Sequence, residues 1–335
     1  MMEINLSLIS KSMRAVLCKE LGPPSALVIE DIELKAPGPK EVLIDVKACS
    51  VNFPDTLIIQ GLYQFKPELP FSPGGDIAGV VSAVGSEVKR FKPGDEVFGA
   101  TGHGGFAEQV IAHQSMIFPK PVSMDFTLAS SFLMAYGTSY YALKNRASLK
   151  AGESLVVLGA SGGVGLAAVE LGKLMGAQVI AAASTDEKLA LCKEMGADEI
   201  INYTTENLKE RIKALTDGKG ADVVYDPVGG EYTEAALRAT AWEGRFLIIG
   251  FPAGIAKIPM NLPLLKGCDI RGVFWGRHAQ SEPNKAMQNT MELIQYHAEG
   301  KLKPHIDRTY TLDEAAQALE DMMNRKVKGK IVVIP

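Results

Sequence analysis

Leu155-Val156-Val157-Leu158-Gly159-Ala160-Ser161-Gly162-Gly163-Val164-Gly165 is the stretch on which the reading of this chain turns. Four apolar residues in a row suit a strand buried on both faces, and apolar residues recur at helical spacing from Val164 to Met175 immediately afterwards. Between strand and helix lies a glycine loop. Glycine is required where backbone passes within contact distance of a pyrophosphate, and again where a helix packs closely on a strand. The helix N-terminus then supplies amide donors and a positive dipole. Aligned on Gly162 and Gly165 the pattern is A-x-G-x-x-G, with Ala160 where a first glycine is usual. A plain strand-to-helix turn would use the same glycines. The strand before, the helix after and further strands downstream favour a dinucleotide site.

Working outward, apolar strands alternate with helical patterns from about Ser123 to Trp275. The strands are Leu155 to Leu158, Val179 to Ala182, Glu199 to Ile201, Val223 to Tyr225, Phe246 to Ile249 and Ile270 to Phe274. Such alternation predicts a parallel doubly wound sheet. Helices are predicted over Val164 to Met175, Glu187 to Met195 and Leu208 to Leu215. Two of them run into Met-Gly-Ala (Met175 to Ala177 and Met195 to Ala197), where glycine suits a left-handed helix end. Upstream, from Met13 to about Pro121, the texture is different. Short β-rich runs such as Val42 to Val46, Ile77 to Val81 and Phe106 to Ile111 are separated by Pro-Gly turns, and predict a mostly antiparallel barrel. After Trp275 the pattern gives a helix near Ala286 to His297, a break at Pro304, a helix from Asp313 to Met323 and a terminal strand, Ile331 to Ile334.

With 335 residues, and about 150 per domain as a guide, two domains are expected. Hydrophobic residues at 47% and charged residues at 22% are those of an ordinary globular chain. The net charge of −4 leaves no cationic excess to neutralise phosphates, which argues against nucleic acid or an anionic membrane as partner. No apolar run reaches the roughly 18 residues that span a bilayer, so the expected address is cytoplasmic. Cys18, Cys49, Cys192 and Cys268 are widely spaced without a CxxC pair, and read as packed thiols rather than disulfides or metal ligands. Residues 1–12, which precede the first strand-like run, carry no identifiable chemistry and are expected to be a disordered extension.

The strand Val179 to Ala182 should end at the residue that reads the adenosine ribose. An NAD site usually places Asp or Glu there to accept from the 2′-hydroxyl. Here stand Ala183-Ser184-Thr185, with Lys188 one helical turn on. Without a carboxylate to repel a 2′-phosphate, the pocket suits NADPH. The same residues also suit a simpler role, with Ser184 or Thr185 capping the next helix and Lys188 a solvated charge. Asp186 and Glu187 would favour NADH if the strand ended later.

Together with Val51-Asn52-Phe53-Pro54-Asp55-Thr56, Gly61-Leu62-Tyr63, Ser72-Pro73-Gly74-Gly75-Asp76-Ile77-Ala78-Gly79, Phe91-Lys92-Pro93-Gly94-Asp95-Glu96-Val97, Gly104-Gly105-Phe106-Ala107-Glu108 and Ile201-Asn202-Tyr203, these features resemble the medium-chain dehydrogenase/reductase superfamily. Within it the chain is similar to the zinc-independent, zeta-crystallin-like NADPH:quinone oxidoreductases. The resemblance runs over nearly the whole chain from Met13. It implies an α/β architecture in which a GroES-like β-barrel catalytic domain (1–135 and 276–335) wraps a Rossmann doubly wound parallel sheet that binds NADPH (136–275), with the active cleft between them. It also implies a homodimer, joined by the edge strand Asp269 to Phe274 pairing across a two-fold axis.

Zinc alcohol dehydrogenases of the superfamily place a cysteine ligand where this chain has Asn52 and a His-Glu pair where it has Gly75-Asp76, so no metal is expected. An unactivated alcohol needs such a metal, whereas a quinone or an α,β-unsaturated carbonyl moves the incoming negative charge onto a conjugated oxygen. The resemblance therefore implies hydride transfer to one of those small electrophiles. Tyr63 is the implied proton donor, or else a loop aromatic that stacks on the acceptor. Asn52 is implied as a neutral hydrogen-bond partner for substrate or nicotinamide ribose, and Asp55 as the residue that orients this loop. The implied cofactor contacts are Gly162, Gly163, Val164 and Gly165 at the pyrophosphate, and Ser184, Lys188, Tyr203 and Arg325 at the 2′-phosphate. Gly250, Phe251, Phe274 and Trp275 fall at the nicotinamide end; the other reading of Phe251 and Phe274 is core and of Arg325 a solvated charge, with the strand ends favoured for the cleft because they face the switch point. An enoyl-thioester reductase is an alternative reading. An abundant NADPH-binding structural protein of the crystallin kind, with little turnover, is another.

Overall fold

In the computed structural model, which describes residues 12–335, the turn-rich N-terminal texture folds as antiparallel sheet. Ser12–Leu17 (β1) pairs with Val28–Glu33 (β2) as a ribbon. A larger sheet is built on Glu41–Val51 (β3), whose Val42, Ile44, Val46 and Ala48 are buried at the period-two spacing of a strand. Asp76–Val84 (β4) runs antiparallel to it, followed outward by Glu96–Ala100 (β5), while Gln109–His113 (β6) pairs with the first half of β3 and Ile117–Pro119 (β7) with β5. The chain leaves β3 at Asn52, which caps the short helix Phe53–Ile58 (α1). The expectation for 1–12 falls almost wholly on residues 1–11, outside the described residues; Ser12 is already part of β1.

Phe126–Tyr140 (α2), continued by a π-helical turn Tyr141–Arg146, leads into the second unit. Sequence reading gave no helix here, because Ala129 to Ala135 and Tyr136 to Tyr140 are buried on nearly every side and leave no polar face to produce a period. Its buried hydroxyls are satisfied by carbonyls one turn back, with Ser130 and Ser131 Oγ donating to the Thr127 carbonyl at 2.9 and 3.0 Å.

The predicted parallel sheet is present. Among the described residues it comprises Ser154–Val157 (β8), Gln178–Ala183 (β9), Glu199–Asn202 (β10), Ala221–Asp226 (β11), Thr240–Ile248 (β12) and Asp269–Gly272 (β13), in the order β10-β9-β8-β11-β12-β13. Every neighbouring pair is parallel. This is the Rossmann order, with the switch point between β8 and β11. Gly163–Leu174 (α3), Asp186–Glu194 (α4), Leu208–Leu215 (α5), Glu231–Arg238 (α6) and Asn261–Lys266 (α7) fill the connections. On α3, Leu166, Val169 and Leu171 are buried, each contributing about 1.5–3 kcal/mol relative to exposure. Helices α3 and α4 end as the two Met-Gly-Ala runs predicted, with Gly176 at φ +82 and Gly196 at φ +106, a region that costs a residue with a Cβ.

After β13 come Trp275–Ser281 (α8), Pro283–Ala298 (α9), Ile306–Thr311 (β14), Ala315–Met323 (α10) and Lys330–Ile334 (β15). β15 pairs antiparallel with β3, Ile331 opposite Val51, and β14 lies outside it, so the chain end completes the barrel sheet. The division between units differs from the boundaries read at 135 and 275. One unit takes the chain through Ser131 together with Arg308–Lys326 and Ile331–Pro335; the other takes Phe132–Asp307 and Val327–Lys330. Residues 276–307 stay with the parallel sheet because α8 and α9 pack on α2 and its π-turn. The Tyr141 ring stacks on His278 with centroids 4.0 Å apart, Tyr140 and Lys144 both bond the Glu292 carboxylate, and Asn289 Nδ2 donates to Asn145 Oδ1 at 2.8 Å.

Candidate active site

The glycine loop sits where the ends of β8 and β11 diverge. Leu158 N–H donates to the Tyr225 carbonyl at 3.0 Å and Ala160 N–H to the Ala182 carbonyl at 3.0 Å, which ties the loop to both neighbouring strands. Gly159 has φ +53, and a Cβ on it would stand 2.7 Å from Val228 Cγ2, so the loops after β8 and β11 meet there without room for a side chain. Gly159 thus takes the left-handed turn, and this is why buried Ala160 is tolerated next to it. Gly162, extended at φ −79 and ψ 170, caps α3, and the first helical bond runs from Leu166 N–H to the Gly162 carbonyl at 2.8 Å. The amides of Gly163, Val164 and Gly165 therefore have no carbonyl four residues back within the helix, and the first turn carries no acidic residue. Bare backbone, amides left without an intrahelical carbonyl and a helix dipole at a switch point fit a dinucleotide pyrophosphate. Behind the loop, Asp226 is buried and fully engaged: Oδ1 accepts from Val228 and Gly229 N–H at 2.9 Å each and Oδ2 from Thr233 Oγ1 at 2.7 Å.

At the end of β9, Thr185 Oγ1 accepts from Lys188 N–H at 3.3 Å and so caps α4. Tyr203 N–H donates to the Ala183 carbonyl at 3.2 Å, and Thr204 Oγ1 to the Ser184 carbonyl at 3.0 Å. These bonds bring Ser184, Lys188 and Tyr203 to one place, and the Tyr203 ring lies 4.4 Å from that of Tyr232. Both nearby carboxylates are engaged. Asp186 Oδ1 accepts from Asn202 Nδ2 at 2.7 Å, and Glu187 pairs with Lys328 Nζ at 2.6 Å. That bond to Lys328 holds the exposed Glu187 carboxyl below its usual range.

At the ends of β12 and β13, Phe251 is 45% exposed and Phe274 is 51% exposed, so neither is core. Trp275 opens α8 with its indole against Gly137 of α2, where a Cβ would stand 2.9 Å from the ring. Gly250 N–H reaches the Asp226 carbonyl at 3.4 Å. Arg325 follows α10 at φ +57 and belongs to the barrel unit, not to the unit that holds Ser184 and Lys188.

In the barrel unit, Asp55 is buried and its Oδ2 accepts from Asn52 N–H at 2.7 Å, the reciprocal bond of a capping box. Asn52 Nδ2 donates to Ser50 Oγ at 3.4 Å. Tyr63 is half-buried, and its phenol is pushed above the ordinary value first by burial and then by the negative charge of Asp55. A phenol so placed keeps its proton at neutral pH. The structure therefore brings Asn52, Asp55 and Tyr63 together. In the same unit the His103 ring, for which sequence gives no functional role, stacks on Phe65 at 5.7 Å and meets Phe71 edge-on at 6.2 Å, with burial lowering the imidazole's affinity for a proton. No local motif announces this stack, since His103 lies between β5 and β6 whereas Phe65 and Phe71 belong to the connection from α1 to β4. At the positions matching zinc ligands, Asp76 is buried in β4 and Gly75 lies against the Gly102 carbonyl. Among the described residues no three His, Cys, Asp or Glu side chains gather as a metal ion would require, and no helix is long and apolar enough to cross a membrane.

Comparison with known proteins agrees with this architecture. Residues 38–122 match the alcohol dehydrogenase GroES-like domain, and residues 163–295 match the zinc-binding dehydrogenase family. A quinone oxidoreductase-like protein 2 homolog of Nematostella vectensis is 41% identical over 96% of this chain and 89% of its own. A quinone oxidoreductase of Pseudomonas syringae pv. Tomato DC3000 superposes with a TM-score of 0.91 at 33% identity, covering 96% of this chain and 100% of that one. The Escherichia coli quinone oxidoreductase, solved in complex with NADPH, gives 0.90 at 29% identity over 97% and 99%.

Proposed function

The chain belongs to the quinone oxidoreductase-like family of the medium-chain dehydrogenase/reductase superfamily, and from that premise we propose that it is an NADPH-dependent reductase of quinones or α,β-unsaturated carbonyls. The observation that carries the reading is the half-buried Tyr63 phenol near the buried Asp55, whose carboxylate holds the Asn52 N–H at the start of α1. A conjugated acceptor that receives a hydride develops charge on its oxygen, and a neutral phenol is the group to meet it with a proton. NADPH, when bound, supplies the hydride.

The remaining residues take supporting parts. Gly162, Gly163, Val164 and Gly165 would hold the pyrophosphate, and Ser184, Lys188, Tyr203 and Arg325 the 2′-phosphate. Gly250, Phe251, Phe274 and Trp275 would border the nicotinamide; exposed rings at strand ends suit that task because they exclude water from a flat ligand. Asn52 offers an uncharged side-chain amide to the substrate or the nicotinamide ribose. Asp55 fixes the backbone of Asn52, and its charge adds to the effect of burial in raising the phenol above its ordinary value, which makes it a positioning residue. The same reading has the protein work in the cytoplasm as a homodimer joined along Asp269 to Phe274, where β13 is the outer strand of its sheet.

The test is NADPH oxidation followed by absorbance against 1,4-benzoquinone, 9,10-phenanthrenequinone, a short 2-alkenal and crotonyl-coenzyme A, with NADH as control. Turnover of a quinone or the alkenal supports the proposal. Preference for the thioester replaces it with an enoyl-thioester reductase, and tight NADPH binding without turnover replaces it with a binding protein.

A further inference from the structure

The segment Val327–Lys330 returns to the parallel-sheet unit before β15 continues into the barrel sheet. It makes two consecutive attachments. Gly329 N–H donates to the Ser161 carbonyl at 2.7 Å, and Gly329 bridges Gly162 in parallel, so this residue is laid on the glycine loop. Gly329 has φ +68, and a Cβ there would fall 2.6 Å from the His305 carbonyl oxygen, so the strap passes only as glycine. One residue earlier, Lys328 extends to the first turn of α4 and pairs with Glu187 at 2.6 Å, while its N–H reaches Asp307 Oδ2 at 3.3 Å.

These two attachment points are the two ends of the adenosine half of a bound dinucleotide: the pyrophosphate lies on the glycine loop, and the ribose 2′ position at the end of the second strand, next to α4. We propose that Lys328 is a ligand for the 2′-phosphate of the dinucleotide, and that Glu187 holds its ammonium at that position until the phosphate takes its place. The inference rests on the NADPH reading and adds to it a cation from the chain's C-terminal strap. Glu187 is 77% exposed on its side chain against 29% for Lys328. An exposed ion pair is weakly held, so the carboxylate can swing into solvent when a phosphate dianion arrives. Among the described residues Lys328 and Lys188 attract the Glu187 charge and Asp307 opposes it. With Glu187 turned away, Lys188 and Lys328 both face the phosphate, and charge-assisted bonds from two ammonium groups then favour the 2′-phosphorylated cofactor.

Calorimetric titration of the full chain with 2′,5′-ADP and with 5′-AMP separates the two layers of the argument. The unsubstituted protein should prefer 2′,5′-ADP. Lys328→Gln should weaken 2′,5′-ADP about tenfold while leaving 5′-AMP within about twofold, Lys328→Arg should retain the preference, and Glu187→Gln should tighten 2′,5′-ADP several-fold. If the unsubstituted protein binds both nucleotides equally, the NADPH reading fails and this inference with it. If the preference exists and survives Lys328→Gln intact, or if that substitution weakens both nucleotides by the same factor, the NADPH reading stands and Lys328 is not a phosphate ligand.

Discussion

Gly165 packs against the backbone of Gly159 so closely that a Cβ on it would overlap the Gly159 carbonyl oxygen and stand 2.8 Å from Ala160 Cα. Helix α3 is thereby seated directly on the loop that its N-terminus completes. Gly165→Ala has to push the helix off that loop, at a cost of about 1–3 kcal/mol. The expected result is a lower melting temperature together with a loss of NADPH affinity, read by quenching of intrinsic fluorescence. Unchanged affinity would show that the helix seat does not set the loop.

Tyr63→Phe should lower turnover of an enone by about a hundredfold while a quinone, which takes its proton from water more readily, loses only a few-fold. The pH profile gives the sign. The Tyr63 phenol is raised above its ordinary value of 10.0, so the donor stays protonated throughout the neutral and mildly alkaline range. The enone rate should accordingly show no fall attributable to this group below pH 10.0. A decline centred near neutrality that disappears in Tyr63→Phe would mean that Asp55 does not act on the phenol as described.

Glu170 on α3 accepts from the Tyr136 hydroxyl and from Lys303 N–H, yet burial raises its carboxyl above the ordinary value by more than these donors lower it. The folded protein therefore keeps a proton that the unfolded chain has already released. The stability this group contributes is complete below the ordinary value of 4.5 and is lost as pH rises through the folded value. A glutamine at this position does not titrate, so the melting temperature of Glu170→Gln should gain relative to that of the unsubstituted protein as pH rises above the ordinary value of 4.5. A constant difference over that rise would show that Glu170 ionises alike in both states.

Among the described residues strand β13 pairs with β12 on one side only, and Leu264 and Leu265 on the preceding helix α7 are 79% and 66% exposed. An unpaired sheet edge and exposed apolar side chains each favour association with a second copy. Sedimentation at micromolar concentration should give twice the chain mass, and Leu265→Asp should shift the protein toward monomer. A monomer in the unsubstituted protein would remove the dimer.

By itself the sequence determined the parallel sheet, the glycine loop and the helix ends at Gly176 and Gly196. These depend on neighbours within one turn or one strand: apolar runs such as Leu155 to Val157, or a glycine at a fixed offset. The family resemblance also pointed to Asn52, Asp55 and Tyr63, which lie in one short stretch on and just after α1. The tertiary structure decided the rest. Helix α2 is buried on nearly all sides and so has no periodic face to read, and residues 276–307 join the parallel-sheet unit through contacts of Tyr141 with His278 and Lys144 with Glu292. The stack of Phe65 on His103 and the pairing of Lys328 with Glu187 join residues far apart in the chain. Nothing in the local pattern around either partner encodes such a meeting, because it is the packing of whole elements, not the preference of any one segment, that sets which distant side chains touch.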